Sequence, residues 1–278
     1  MKPHKRSLAA RIGNWLLAVW SALVLIYLVA PILVIVPLAF NAGNELSFPM
    51  AGLSLRWFAD FFGSDVWRGA LINSLIVGSG ATIISVVLGT GAALGLRTSR
   101  GRVGSLVRAV VLAPLVVPTV IVGVGMYFMF SALGLTGTYL GLILAHATLA
   151  VPFQLVTTSA ALAALDERQL WAAASAGASP LRSFFAITLP VALPGILSGA
   201  LFSFATSLDE IVVTLFLAGP GQRTLPREMF TSAREFLTPT IAAAATVMIA
   251  FSITLLAAFL ALRGRDSTNL QSETEDTK

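Results

Sequence analysis

Long apolar runs separated by short polar breaks set the pattern of this chain from end to end. Residues 14–40 contain no charged side chain, and similar runs recur at 70–96, 106–130, 138–160, 191–217 and 239–262. Each can cross a hydrocarbon core of ~30 Å as a helix, which needs about 20 mostly apolar residues. None shows the alternating segments of ~10 residues that an outer-membrane barrel requires. The pattern predicts an all-α, polytopic membrane protein with six transmembrane helices. Residues 1–13 then form a short N-terminal segment, 14–262 one transmembrane domain and 263–278 a polar tail. The tail carries Glu273, Glu275 and Asp276 and is expected to be disordered. The first run is too long for a signal-peptide core and lacks a clear cleavage site, so it is expected as a retained helix.

Composition strengthens this picture and charge orients it. The chain is 56% hydrophobic and 11% charged, against about 25% charged in soluble domains. Thirteen of the 18 Lys and Arg fall on one side of the six-span map: at the two termini, in the loop with Arg97, Arg100, Arg102 and Arg108, and in the loop with Arg168 and Arg182. Only Arg56, Arg68, Arg223, Arg227 and Arg234 fall opposite. The positive-inside rule therefore places both termini and the 161–190 loop in the cytoplasm. The net charge of +5 sets topology, so the lipid bilayer is the expected environment and no nucleic acid is expected as a partner. The loop at 41–67, rich in Trp57, Phe58, Phe61, Phe62 and Trp67, has the composition of a membrane interface. Thr238 before Pro239 fits an N-cap and a first-turn proline for the sixth span.

Enzymatic chemistry is missing from the sequence. There is no G-x-x-x-x-G-K-[ST] phosphate loop and no H-E-x-x-H. His4 and His146 are the only histidines, and there is no cysteine, which excludes a multi-histidine or thiolate metal site. No cofactor and no metal are expected. A transport subunit is the favoured class, with a membrane-embedded enzyme as a lesser alternative.

The loop WAAASAGASPLRSFFAITLP (171–190) interrupts the apolar pattern. Asp166 and Glu167 can open a short helix, since acids favour a helix N-terminus. Leu170 to Ala176 are strong helix formers, Gly177 can end the run and Pro180 blocks simple continuation. A second short element, Leu181 to Thr188, then leads into the fifth span at Leu189–Pro190. The first helix has a nearly bare Ala/Ser/Gly face, which allows another backbone to approach closely. The plain alternative is a surface connector whose alanines supply only helix propensity.

Ala172, Ala173, Gly177, Ala178, Ser179, Ile187, Leu189, Pro190 and Pro194 resemble, in order and spacing, the "EAA" loop of bacterial ABC-importer permeases. The runs AHATLAVPFQLV (145–156), SLDEIVVTLFLAGPG (207–221) and LTPTIAAAATVM (237–248) resemble the spermidine/putrescine, PotC-like branch of the type I, MetI-like fold. The resemblance extends from about residue 70 to the end. It implies a bacterial inner-membrane permease that pairs with a second permease subunit and two ATP-binding cassette ATPase subunits, and receives solute from a periplasmic binding protein. It further implies that Trp171, Ala172, Ala173, Gly177, Ala178, Ser179 and Pro180 form an ATPase-coupling loop. Trp171 stands where the family has a glutamate, so packing would have to replace an electrostatic anchor there.

Ionisable residues inside spans are functional candidates by default. On a continuous fifth helix, Ser203, Thr206, Ser207, Glu210 and Thr214 fall at i+3 and i+4 steps and form one polar stripe. Asp209 shares its side with Ala205, Val212, Val213 and Phe216. Glu210 is then the better residue to line a pathway, and Asp209 the one to pair across an interface; packing or gating is the alternative for both. His146, Gln154 and Asn73 are expected chiefly as interhelical hydrogen-bonding residues, with His146 and Thr119 also candidates for the pathway or gate. Two carboxylates suit a polyamine cation. Thr119 follows Pro118 where polyamine permeases often place an acid, which favours an amino-acid derivative, an opine, a thiamine-like compound or iron as other solutes. A stand-alone secondary transporter with Glu210 as its proton site is the rival from another class.

Overall fold

The computed structural model describes residues 8–99 and 101–275. Parts of the expected N-terminal segment and tail (1–7 and 276–278), and Arg100 of the basic loop, lie outside the described residues. Among the described residues the fold is helical, with twelve α-helices: α1 (Leu8–Leu38), α2 (Arg56–Gly63), α3 (Asp65–Thr98), α4 (Arg102–Leu112), α5 (Thr119–Ala132), α6 (Tyr139–Leu162), α7 (Glu167–Ser175), α8 (Pro180–Ser183), α9 (Leu189–Asp209), α10 (Val212–Leu217), α11 (Leu225–Glu235) and α12 (Thr240–Glu275). Among the described residues, five stretches are long and apolar enough to cross a membrane alone. A bent pair, Arg102–Leu115 with Thr119–Ala132, is long and apolar enough to cross only if its two halves count as one span.

That pair departs from the continuous helix expected over 106–130. Its halves meet at 105°, because Pro114 sits in a short 3-10 turn and Pro118 precedes the first residue of α5. Proline removes an N–H and clashes with the preceding turn. The bend at Leu115 to Val117 is apolar and open, with Val116 84% exposed.

The centre of the bundle is the α3–α6–α9 packing, and small residues make it possible. A Cβ at Gly80 would lie 2.8 Å from Ile143, one at Gly89 2.6 Å from Gln154, and one at Gly195 2.6 Å from the Thr157 carbonyl. Close backbone approach of this kind replaces the hydrophobic drive that lipid cannot supply. Gln154, fully buried, fills the gap and binds all three helices. Its Nε2, with two hydrogens to share, lies within hydrogen-bond distance of Thr90 of α3 (3.2 Å), Thr158 of α6 (3.0 Å) and the Ile196 carbonyl of α9 (3.2 Å). Gln154 is therefore the interhelical hydrogen-bonding residue the sequence suggests. From Asn14 to Val29, α1 is exposed along its length, as a lipid-facing helix is, and only its end at Leu38 is buried against the bundle.

A second cluster closes the end of the bundle that carries α2 and α11. Phe61, Trp67, Leu225, Ala242 and Ala243 are buried together there. Asn41 organises the incoming loop, accepting from the Gly43 and Ala51 amides and donating to the Glu45 carbonyl, while Trp57 Nε1 donates to the Asn41 carbonyl at 2.8 Å. Thr238 does not cap α12: the Pro239 carbonyl accepts the Ala243 amide at 3.1 Å, so the helix begins one residue later than expected. The same helix runs on to Glu275, past the end expected near 262, because no proline follows to stop it.

Candidate functional site

At the opposite end of the bundle, α7 is fastened by its caps. The Asp166 carboxylate accepts the Arg168 amide at 2.9 Å and opens the helix. Gly177, at φ +81°, closes it with a Schellman pair: Ala178 N–H to the Ala173 carbonyl (2.9 Å) and Gly177 N–H to the Ala174 carbonyl (3.0 Å). Ser179 then caps α8 through the Arg182 amide at 3.3 Å, with Pro180 in the first turn. A π-helical turn, Phe184–Thr188, carries the chain into α9 without a break. The helical run that continues into the fifth apolar segment thus starts at Pro180, ahead of the Leu189–Pro190 pair.

The loop's surface is open. Leu170, Ala173 and Ala178 turn partly inward, whereas Ala172, Gly177, Ser179 and Pro180 are exposed. Trp171 is 65% exposed. The tether that holds α7 lies one turn earlier. Arg97 at the end of α3 donates to the Leu165 carbonyl at 3.5 Å and faces Glu167 at 4.0 Å. Sequence reading assigned Arg97 only to the basic loop; the tether needs a contact across 68 residues.

The second set of candidates lies toward the other end of the bundle, and here the continuous fifth helix fails. Helix α9 ends at Asp209, Glu210 is extended (φ −77°, ψ 114°) and α10 starts at Val212. The Glu210 carboxylate accepts the Val213 amide at 2.8 Å, and the Glu210 carbonyl accepts the Thr214 hydroxyl at 3.2 Å. Glu210, one residue ahead of the N-cap Ile211, thus satisfies a first-turn amide of α10. Ser203, Ser207 and Thr214 are buried, so most of the expected polar stripe is a seam between helices, with Ser203 bonded to Ser85 at 2.6 Å. Thr206 is half-buried and Asp209 exposed, and the Asp209 carboxylate has no partner among the described residues.

His146 joins the pieces. Only 1% exposed, it places Nδ1 2.7 Å from Ser207 of α9 and Nε2 2.9 Å from Thr214 of α10. Thr119, by contrast, is half-buried at the start of α5, just past the bend, and is not part of this cluster. Asn73 holds the loop after α10, donating to the Gly221 and Arg223 carbonyls at 3.0 Å each and accepting from Tyr139 at 2.6 Å. Arg227 adds a bond to the Ala218 carbonyl at 2.7 Å. Arg97, Ser85 and Arg227 escaped sequence reading because their partners are remote along the chain or are backbone carbonyls. Among the described residues, no group of acids and histidines is arranged to hold a metal.

A helical membrane bundle with a capped, exposed helix on one end and no catalytic constellation has the form of a transport subunit. The chain belongs to the family described as binding-protein-dependent transport system inner membrane component, which matches residues 85–265. It is the permease subunit of an ABC importer, a multi-pass membrane protein; a separate subunit hydrolyses ATP and a binding protein is a partner. That dependence on ATP removes the stand-alone, proton-driven reading of Glu210. The chain is 36% identical over 241 residues to the putrescine transport system permease protein PotI of Escherichia coli K12, covering 83% of this chain and 85% of the relative. It is 32% identical over 230 residues to the spermidine/putrescine permease PotC of Haemophilus influenzae, covering 83% and 89%. A molybdenum permease, ModB of Mycobacterium bovis, is 35% identical over 176 residues, covering 58% and 67%. In fold, the chain matches a bacterial ABC transporter of alginate with a TM-score of 0.68 at 17% identity, covering 92% and 96%.

Proposed function

We propose that this permease imports polyamines or a closely related small organic cation. The observation that carries this reading is the similarity to PotI and PotC over more than four-fifths of each chain. Charge supports it: Asp209 and Glu210 put two carboxylates at the α9–α10 break, which favours a cation and repels an oxyanion such as the one a molybdenum carrier handles. An exposed intramembrane carboxylate without an intrachain partner needs water, solute or a neighbouring subunit to meet it. Asp209 is accordingly the carboxylate we assign to the pathway, and Glu210 the one that shapes it. Both termini and α7 face the cytoplasm on this reading, as the basic residues require. The importer is completed by a second, different permease subunit, two ATPase subunits and a periplasmic binding protein. Helix α7 and the Gly177–Pro180 turn dock on one ATPase, with Trp171 packing against it.

The test is uptake by the full complex reconstituted in liposomes with ATP inside and binding protein outside. Putrescine or spermidine uptake that needs ATP supports the assignment, and ATP-dependent uptake of molybdate in its place overturns it. In that assay Asp209→Asn is expected to reduce polyamine uptake at limiting solute by about tenfold, the scale of one charge-assisted contact. Glu210→Gln, which keeps an oxygen to accept the Val213 amide, is expected to retain most activity. Equal uptake by wild type and Asp209→Asn would show that Asp209 lies off the pathway.

A further inference from the structure

We propose that His146 is a positioning residue for transport, a latch between the rigid α3–α6–α9 bundle and a unit made of α5 and α10. Two breaks in the chain bound that unit. One is the 105° bend ahead of α5; the other is the extended Glu210 ahead of α10. Between these breaks the two helices are fastened to each other. A Cβ on Gly123 of α5 would lie 2.8 Å from the Phe216 ring of α10, so the helices are in close contact there. The turn after α5 adds the Gly137 amide, which donates to the Leu217 carbonyl at 2.8 Å.

The unit meets the rigid bundle in a different way. Met126 and Phe130 of α5, with Val213 and Leu217 of α10, pack on Val77 of α3 and on Leu142 and Ala145 of α6. Such aliphatic contact is non-directional, so it tolerates small sliding motions that a hydrogen bond does not. Among the described residues, the one hydrogen bond from α10 to α6 is His146–Thr214. The same ring reaches back to Ser207 on the far side of the break. Three hydroxyl and ring contacts close with a single ring proton. Thr214 donates to the Glu210 carbonyl and so accepts from Nε2–H, while Ser207 donates to Nδ1. This fixes the angle of α10 relative to α9, and with it the aim of the intervening Asp209 and Glu210.

A latch of this kind must loosen when the pathway changes its opening. The inference rests on the permease assignment and not on the identity of the solute. The chain has no cysteine, so spin labels can be placed at Leu140→Cys on α6 and Leu215→Cys on α10, both exposed in the chain. The distance between them is measured in the full complex, at rest and with the ATPase trapped by vanadate. We expect one narrow distribution at rest and a shifted one when trapped. Ser207→Ala removes one bond to the ring, and Thr214→Val removes the other together with the bond to the Glu210 carbonyl, both with little change in volume; both are expected to broaden the resting distribution. They should also lower the maximal rate of ATPase stimulation by the solute-loaded binding protein at least about fivefold, the net worth of one hydrogen bond. The half-saturating concentration and the amount of assembled complex stay the same, and Thr214→Ser restores the rate. An unshifted distance on trapping, or an unchanged maximal rate in both variants, overturns the proposal. Loss of assembly together with rate overturns it too, since the contact is then structural only. Failure of the polyamine reading is separate: wild type then takes up no polyamine, while the distance change persists.

Discussion

Gly177→Trp is expected to leave the permease inserted and assembled, yet to cut ATP-driven uptake by at least about tenfold while hydrolysis no longer follows solute. Two features set this outcome. Gly177 lies at φ +81°, a left-handed conformation that costs a side chain about 1–2 kcal/mol. A Cβ there meets nothing within 4 Å inside the chain, so the indole projects outward, onto the face we assign to the ATPase. The strain is small beside the stability of the helical bundle, whereas the bulk falls at the joint. Gly177→Asn is the control, because asparagine tolerates this conformation and adds little volume; it should couple normally. Uptake and solute-stimulated ATPase are compared in reconstituted complexes. Normal coupling in the tryptophan variant would move the docking surface elsewhere.

Gly199→Leu is expected to abolish the folded subunit. A Cβ at Gly199 already falls within contact distance of the Gln154 amide and the Thr157 hydroxyl. Four extra carbons would push α9 off α6 and break the polar contacts that Gln154 makes. Overpacking a tight core costs typically 1–3 kcal/mol, and here the displaced group is a buried amide whose lost partners cost about 1–3 kcal/mol more. Gly95→Leu provides the contrast, since a Cβ there meets nothing within 4 Å. The measurement is the yield of monodisperse permease after detergent extraction, followed by its thermal unfolding. Comparable yields for the two variants would mean that the α3–α6–α9 contact is looser than its geometry indicates.

Much of the fold was legible because lipid imposes simple rules. Six apolar runs became five long apolar helices and one bent pair, and the 161–190 loop became α7 ended by Gly177, with Ser179 and Pro180 opening α8. Glycine and proline are local signals, and both were read from their own positions. The break at Glu210 left no such signal. SLDEIVVTLFL contains neither glycine nor proline, and its residues would continue a helix as readily as stop one. What holds the break open is remote: the ring of His146 between Ser207 and Thr214, with the Glu210 carboxylate accepting a first-turn amide of α10. An i+3, i+4 stripe drawn across that point therefore joined residues that do not share a helix. The third span shows the intermediate case. Pro114 and Pro118 marked where a bend was possible, but not that the halves meet at 105°.

The sequence by itself determined that this chain lives in a membrane, where its long apolar runs lie, and where the basic residues and the short polar helix fall. Those properties follow from local chemistry: apolar length, charge placement, and the backbone limits of proline and glycine. Only the tertiary structure decided which polar side chains are bound and which are free. Glu210 became the acceptor for a first-turn amide of α10, His146 a clamp and Trp171 an exposed ring, while Asp209 has no partner among the described residues. A hydrogen bond depends on where two groups sit in space, and 61 residues separate His146 from Ser207.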